Sequence, residues 1–233
     1  VPLVTAAPAA SCVLLDRRLG YRRTMFVRAL LLDLDGTLVD STPAVDRCWR
    51  RWCGEHGVDP TGLADFHGLR SADAVAAVLP PERVGPALER LDELELADLD
   101  DVVALPGAAE VLAAGGDRAA IVTSAGRALA GKRLAAAGLR PPRVMVTADD
   151  VARGKPDPEP HLAAARLLDV PAEDCLVVED AAAGVAAARA AGMRSVGVGT
   201  NPDVGALPAD LVVSTLAELR WLPRDGGVEV VRR

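Results

Sequence analysis

Aromatic side chains are scarce in this chain: two Phe, one Tyr and three Trp make up 3% of 233 residues. Its core therefore has to be assembled from Ala, Val and Leu, and with half the residues hydrophobic there is material for a sizeable one. An excess of positive charge is also missing. The net charge of −7 argues against nucleic acid or an anionic membrane surface as a partner. No apolar run approaches the ~18 residues that a membrane-spanning helix needs. The four cysteines (Cys12, Cys48, Cys53 and Cys175) form no C-x-x-C pair, and the three histidines complete no zinc set with them. They read as reduced thiols of a cytoplasmic protein. Lysine is nearly absent, with only Lys132 and Lys155 against 24 arginines. The length suits one large domain, or a core with a small second domain.

The first residues are set apart. Residues 1–24 are Ala/Pro-rich and then basic, at Arg17, Arg18, Arg22 and Arg23. A signal peptide places its charges before the apolar stretch, and here they follow it. The first residue is Val, so the expectation is that Met25 is the natural start and that 1–24 is an over-extended reading frame or a disordered tail.

What is present begins at Ala29–Ser41, ALLLDLDGTLVDS. A short apolar run ending in a turn signal reads as a buried strand of a parallel sheet. Asp33 and Asp35 stand at its C-terminal end, the end that faces the ligand crevice of an open α/β sheet. Two carboxylates that close repel unless a cation lies between them or one holds a proton. A lone D-x-D would read as an N-cap and turn.

Residues 43–103 change to helices without strands. Pro43 suits the first helical position after an N-cap at Thr42, and Gly57 stops a helix that runs to about His56. Trp49 and Trp52 share its apolar spacing, as core between helices or as a ligand-facing wall. Further helices are expected from Ser71 to Leu79 and from Glu82 to about Leu99. Between them, Phe66-His67-Gly68-Leu69-Arg70-Ser71 is the most site-like loop. Arg70 could meet a hydroxyl or phosphate and His67 could hydrogen-bond, or the loop is a solvated turn.

From residue 104 onward strands and helices alternate. Strands are expected at Ala119–Val122, Val144–Thr147, Cys175–Val178, Ser195–Val198 and Leu211–Val213. Helices are expected at Ala108–Ala114, Ala128–Ala137, Glu159–Leu168 and Ala181–Ala191, with a last one over Leu216–Trp221 and a frayed tail from Asp225. Thr123 and Ser124 lie at a strand end before a helix, an anion site or a plain N-cap. Gly154-Lys155-Pro156-Asp157-Pro158 places one of the two lysines in a Pro-rich turn, either on the surface or in an acidic pocket that wants a compact ammonium. Glu179-Asp180 forms an acidic pair at another strand end. Each motif follows an apolar strand, so right-handed crossovers would gather all of them at one edge of a parallel sheet.

The four motifs, D-L-D-G-T-L-V-D, the strand ending in Thr123-Ser124, G-K-P-D-P and E-D-A-A-A-G, together resemble the haloacid dehalogenase superfamily. The resemblance covers Phe26 to Trp221. It implies a Rossmann-like α/β core (25–42 and 104–222), helices on both faces of its sheet, a small helical cap (43–103) and a tail (223–233). It implies a Mg2+-dependent phosphatase of a small phosphorylated metabolite, a sugar or polyol phosphate, acting as a monomer through an aspartyl-phosphate. Asp33 would be the nucleophile and Asp35 the general acid/base. Ser124, with Thr123 beside it, and Lys155 would bind phosphate. Asp33, the Asp35 backbone carbonyl, Glu179 and Asp180 would hold Mg2+. The usual Ser after the acidic pair is Ala181 here. The H-G-x-R loop resembles the cap loop of 2-deoxyglucose-6-phosphate and glycerol-phosphate phosphatases, which points His67 and Arg70 towards substrate. No lysine lies between Ser41 and Leu105, which speaks against the phosphonate-cleaving branch. A β-phosphoglucomutase-like transfer and a catalytically silent Mg2+ or phosphate-binding regulator are the alternatives. Four carboxylates against one Mg2+ and Lys155 balance if Asp35 holds a proton.

Overall fold

The computed structural model describes residues 24–61, 66, 68–200 and 208–233. The expected extension falls almost wholly outside the described residues, as does His67. The chain enters with β1 (Thr24–Val27), passes Arg28 and forms β2 (Ala29–Leu32), all four of whose residues are buried. A two-residue strand β3 (Val39–Asp40) follows the Asp33–Gly36 turn. Helices α1 (Thr42–His56), α2 (Ser71–Val78) and α3 (Pro81–Ala97) come next. The chain then returns through β4 (Val103–Ala104), which pairs antiparallel with β3, so the way out to the helices and the way back lie side by side.

The remainder alternates: α4 (Ala108–Gly115), β5 (Ala119–Val122), α5 (Arg127–Ala136), β6 (Val144–Val146), α6 (Glu159–Leu168), β7 (Cys175–Glu179), α7 (Ala182–Ala190), β8 (Arg194–Val198) and β9 (Leu211–Val213). Six strands form one parallel sheet in the order β6-β5-β2-β7-β8-β9. Successive residues of a strand face opposite sides. Leu30, Leu32, Ile121, Leu176 and Val178 pack on one face with Val111 of α4 and Leu134 of α5. Ala29, Leu31, Ala120, Val122 and Val177 pack on the other with Ala164 of α6 and Ala188 of α7. Both faces are covered, which is why these strands read as unbroken apolar runs. The order turns about β2, flanked by β5 and β7, and a crevice opens beyond the carboxyl ends of these three strands.

The helices α1–α3 have a core of their own, built on Cys48, Trp52, Cys53, Val75, Leu91 and Leu94. Trp52 is fully buried and its indole N–H donates to the Ala87 carbonyl at 2.7 Å. Trp49 packs edge-on against it but lines the crevice, so the pair divides between the two roles open to it. Ser41 rather than Thr42 precedes α1, and Gly57 ends it in the left-handed conformation (φ 71°).

The C-terminal expectation was wrong. Leu216–Glu218 is a single 3-10 turn, and the chain continues as β10 (Leu219–Arg224) and β11 (Gly227–Arg232), a hairpin. The supposed frayed tail is the middle strand of a second, three-stranded sheet, paired with β1 on one side and β10 on the other. Leu219, Trp221, Val228, Val230 and Val231 are buried there. The hairpin turns on the two-residue loop Asp225-Gly226, where Gly226 takes the left-handed conformation at φ 82°.

Candidate active site

Asp33 leaves the end of β2 with its N–H still bonded to the Val178 carbonyl at 3.0 Å, which holds its side chain at the mouth of the sheet. Lys155, from the loop before α6, is fully enclosed. Its ammonium donates to Asp33 Oδ1 (2.6 Å), Glu179 Oε1 (2.5 Å) and the Val122 carbonyl (2.9 Å). Three protons meet three acceptors contributed by β2, β5 and β7. Burial opposes the charge on Lys155, but Asp33 and Glu179 outweigh it and its pKa is raised. The Pro-rich turn is therefore an internal element, not a surface one.

Glu179 closes β7 and is buried. Its second oxygen, Oε2, accepts from the N–H groups of Asp180 (3.1 Å) and Ala181 (3.0 Å). Gly184 makes this possible, because a Cβ there would stand 1.8 Å from Glu179 Oε1. Asp180 accepts from the Thr37 hydroxyl at 3.4 Å. Gly36, at φ 80°, leaves its space to the same carboxylate: a Cβ would lie 2.2 Å from Asp180 Oδ2.

Asp33, Glu179 and Asp180 offer ligand oxygens within 4.8 Å of one another. One ammonium does not balance the three. Burial, then the charge of Glu179, pushes the Asp33 carboxyl up to about 7 against the pull of Lys155. Burial and the charge of Asp33 raise Asp180 well above the usual carboxylate range. A compact set of buried oxygen donors with surplus negative charge suits a hard divalent cation, which takes carboxylate oxygens and substrate phosphate oxygens together. Part of Glu179's capacity is already committed to Lys155 and two amides, so Asp33 and Asp180 are the freer donors.

Asp35 lines, together with Asp33 and Asp180, a cavity of about 520 Å³ beneath α1–α3. Ser41 donates to its Oδ1 at 2.6 Å, and Arg133 Nη1 meets its Oδ2 at 3.0 Å. Arg133 also reaches Glu95 of α3 at 3.2 Å. Neither Arg133 nor Glu95 stood out in the sequence. The signal was there in their spacing: α5 buries Leu129, Ala130, Arg133 and Leu134, and α3 buries Leu91, Leu94 and Glu95, so both charged residues sit on apolar helix faces. The charge count made from the four motifs did not include this guanidinium, which lies against Asp35.

Ser124 and Thr123 reach the cavity from the end of β5. The Ser124 hydroxyl donates to the Gly68 carbonyl at 2.7 Å, and Thr123 Oγ1 accepts from the Ala125 N–H at 3.1 Å. Arg70 also lines the cavity, but four of its five N–H donors are engaged, by Asp73 (2.8 and 2.9 Å) and by the carbonyls of Val151 and Ala152 (3.3 and 3.1 Å). In this arrangement Arg70 ties its loop to the sheet domain and does not offer a free cation.

Residues 27–192 match the model of the haloacid dehalogenase-like hydrolases. Hexitol phosphatase A of Escherichia coli (strain K12) is 37% identical over 216 residues, covering 89% of this chain and all of that protein. Glycerol-1-phosphate phosphohydrolase 2 of Saccharomyces cerevisiae is 31% identical, over 83% of this chain and 84% of the relative. Among solved structures, a hydrolase from Pseudomonas syringae superposes with a TM-score of 0.73 at 28% identity, over 81% of this chain and 94% of that one.

Proposed function

The chain belongs to the haloacid dehalogenase-like hydrolases and is a phosphoric monoester hydrolase; from that premise we propose that it cleaves a small sugar or polyol phosphate by way of an aspartyl-phosphate. The observation that carries this reading is the hold of Lys155 on Asp33: the ammonium fixes Oδ1 at 2.6 Å and leaves Oδ2 as the attacking atom. Asp33 Oδ2 attacks phosphorus in line. Asp35, two residues on and facing the leaving-group side of the cavity, gives a proton to the departing alkoxide. It then takes a proton from the water that opens the aspartyl-phosphate. The Ser124 hydroxyl exchanges its Gly68 partner for a phosphate oxygen, while Lys155, whose three protons are engaged within the protein, holds Asp33 and supplies positive charge behind it rather than binding phosphate directly. Asp33, Asp180, Glu179 and the Asp35 carbonyl would hold Mg2+, which when bound neutralises charge between the nucleophile and the phosphate. The helices α1–α3 act as the cap that shapes the leaving-group cavity.

The test is Asp33→Asn against the wild type, with hexitol and glycerol phosphates as substrates and Mg2+ present. The wild type is expected to release inorganic phosphate rather than an isomerised phosphate ester. The variant is expected to bind substrate without turnover, and mass spectrometry would exclude deamidation back to Asp. Appreciable turnover by intact Asp33→Asn would refute the assignment.

A further inference from the structure

Arg133 has two charged partners, and they belong to different parts of the molecule. Asp35 lies in the first loop of the sheet domain, while Glu95 lies on α3. The side chains of Arg133 and Glu95 are each only 5% exposed, and all three residues line the leaving-group cavity. Burial opposes the charge on Arg133, but Asp35 and then Glu95 outweigh it and raise its pKa, so the guanidinium stays charged. Burial raises Glu95, and the Asp35 charge adds to this against the opposing effect of Arg133. Without the guanidinium, two carboxylates would confront each other in a closed cavity. Beside it, Lys132 Nζ donates to the Leu96 carbonyl at 3.2 Å, so α5 grips the last turn of α3 at two consecutive residues.

We propose that Arg133 is a positioning residue that couples the seating of α3 to the aim of Asp35. The inference rests on the reading of Asp35 as the general acid/base. When α3 is seated, Glu95 takes one end of the guanidinium and the other end fixes Asp35 Oδ2, which leaves Oδ1, beside the Ser41 hydroxyl, as the oxygen that carries the proton to the leaving group. When α3 moves away, Glu95 leaves, and the guanidinium is free to swing from the carboxylate. Proton delivery to the leaving group is thereby tied to a closed cavity. Arg133 itself transfers no proton.

The experiment separates steps that need the acid from steps that do not. With enzyme in excess and Mg2+ present, a single turnover of hexitol phosphate needs a proton on the departing alkoxide. A single turnover of p-nitrophenyl phosphate to nitrophenolate does not. Arg133→Met is expected to slow hexitol release by about 100-fold or more, and nitrophenolate release by less than about fivefold. Arg133→Lys, which keeps a cation but not the two-ended fork, is expected to recover at least about tenfold of the loss. Glu95→Gln keeps a hydrogen bond to Arg133 and is expected to cost hexitol release about three- to tenfold, again sparing nitrophenolate. Thermal melts identify any variant that fails to fold, and Arg133→Lys with Glu95→Gln then carry the test. Equal losses on the two substrates, or no loss on either, would overturn the inference. If the wild type itself turned over neither ester, the phosphatase reading would fail first, so the two failures are distinguishable.

Discussion

Lys155 shows how much a single residue can settle here. An ammonium with three rotatable protons fits three acceptors arriving from three strands, whereas the planar fork of Arg does not. In a chain with 24 arginines, that explains a lysine at this position. Lys155→Met would leave Asp33 and Glu179 as uncompensated buried carboxylates. Removing one partner of such a cluster costs about 3–5 kcal/mol. Urea melts at pH 8 are expected to show that loss, with no turnover, and Lys155→Arg is not expected to restore either. The cluster also sets a pH dependence. Asp33 holds its proton more tightly in the folded chain, with a pKa of about 7 against 3.8 for the free group. Its contribution to stability is therefore fully present below about pH 4 and is lost as pH rises towards 7 in metal-free protein. Asp180 shifts in the same direction. A cation binds the ionised cluster and competes with these protons, so Mg2+ is expected to raise the melting temperature more at pH 8 than at pH 5. At 100 times its Kd the gain is about 2.7 kcal/mol, or roughly 5–10 °C for a chain of this size. Equal gains at both pH values would count against a metal in this cluster.

Among the elements, the clearest in sequence were those buried on both faces. The runs at β2 and β5 were read with their observed bounds, and β7 to within one residue, Glu179, because a doubly covered strand has no polar face to blur it. The hairpin β10–β11 was missed for the opposite reason. Its strands carry Arg220, Arg224, Glu229 and Arg232 among the apolar residues, and the Asp225-Gly226 turn between them was read as fraying. β1 went unread as a strand because its partner lies at the other end of the chain, Thr24 opposite Val231. Arg133 and Glu95 were hidden in a different way, since a charged residue at a buried helical spacing becomes visible only when the facing helix is known. The hairpin carries its own test. Val228, Val230 and Val231 are buried, and at about 1.5–3 kcal/mol each their burial rivals the 5–15 kcal/mol that holds a typical domain together. Deleting residues 225–233 is expected to give insoluble or molten protein. Val230→Ala is expected to remain folded with a loss of about 2 kcal/mol, read from the urea midpoint. A deletion variant with wild-type melting would show that β11 is an ornament on the fold.

For the molecule as a whole, the distribution of charge around the cavity bears on what it accepts. The surplus of acids in the composition is repeated there: Asp46, Asp92, Glu95 and Asp149 line the leaving-group side together with Asp35. The arginines of the same lining are already engaged, Arg50 by Asp46, Arg70 by Asp73, and Arg133 by Asp35 and Glu95. On the proposed reading, a phosphate at Asp33 would face the positive charge of Lys155 and of a cation held by the acidic cluster, but a second anionic group on the leaving side would meet carboxylates. One like charge about 8 Å away at an effective dielectric near 20 costs roughly 2 kcal/mol, or about 30-fold in binding. Hydroxyl groups carry no such penalty and can donate to the same acids, and Trp49, Val45 and Leu88 offer apolar wall to the carbon chain between them. The specificity constant for a hexitol or glycerol phosphate is therefore expected to exceed that for phosphoglycolate or a sugar bisphosphate by at least about 30-fold. Asp92→Asn, which removes one acid without emptying the cavity, is expected to narrow that gap through KM for the anionic ester. A chain that preferred phosphoglycolate, or an Asp92→Asn protein with an unchanged ratio, would show that selectivity is set by shape and not by charge.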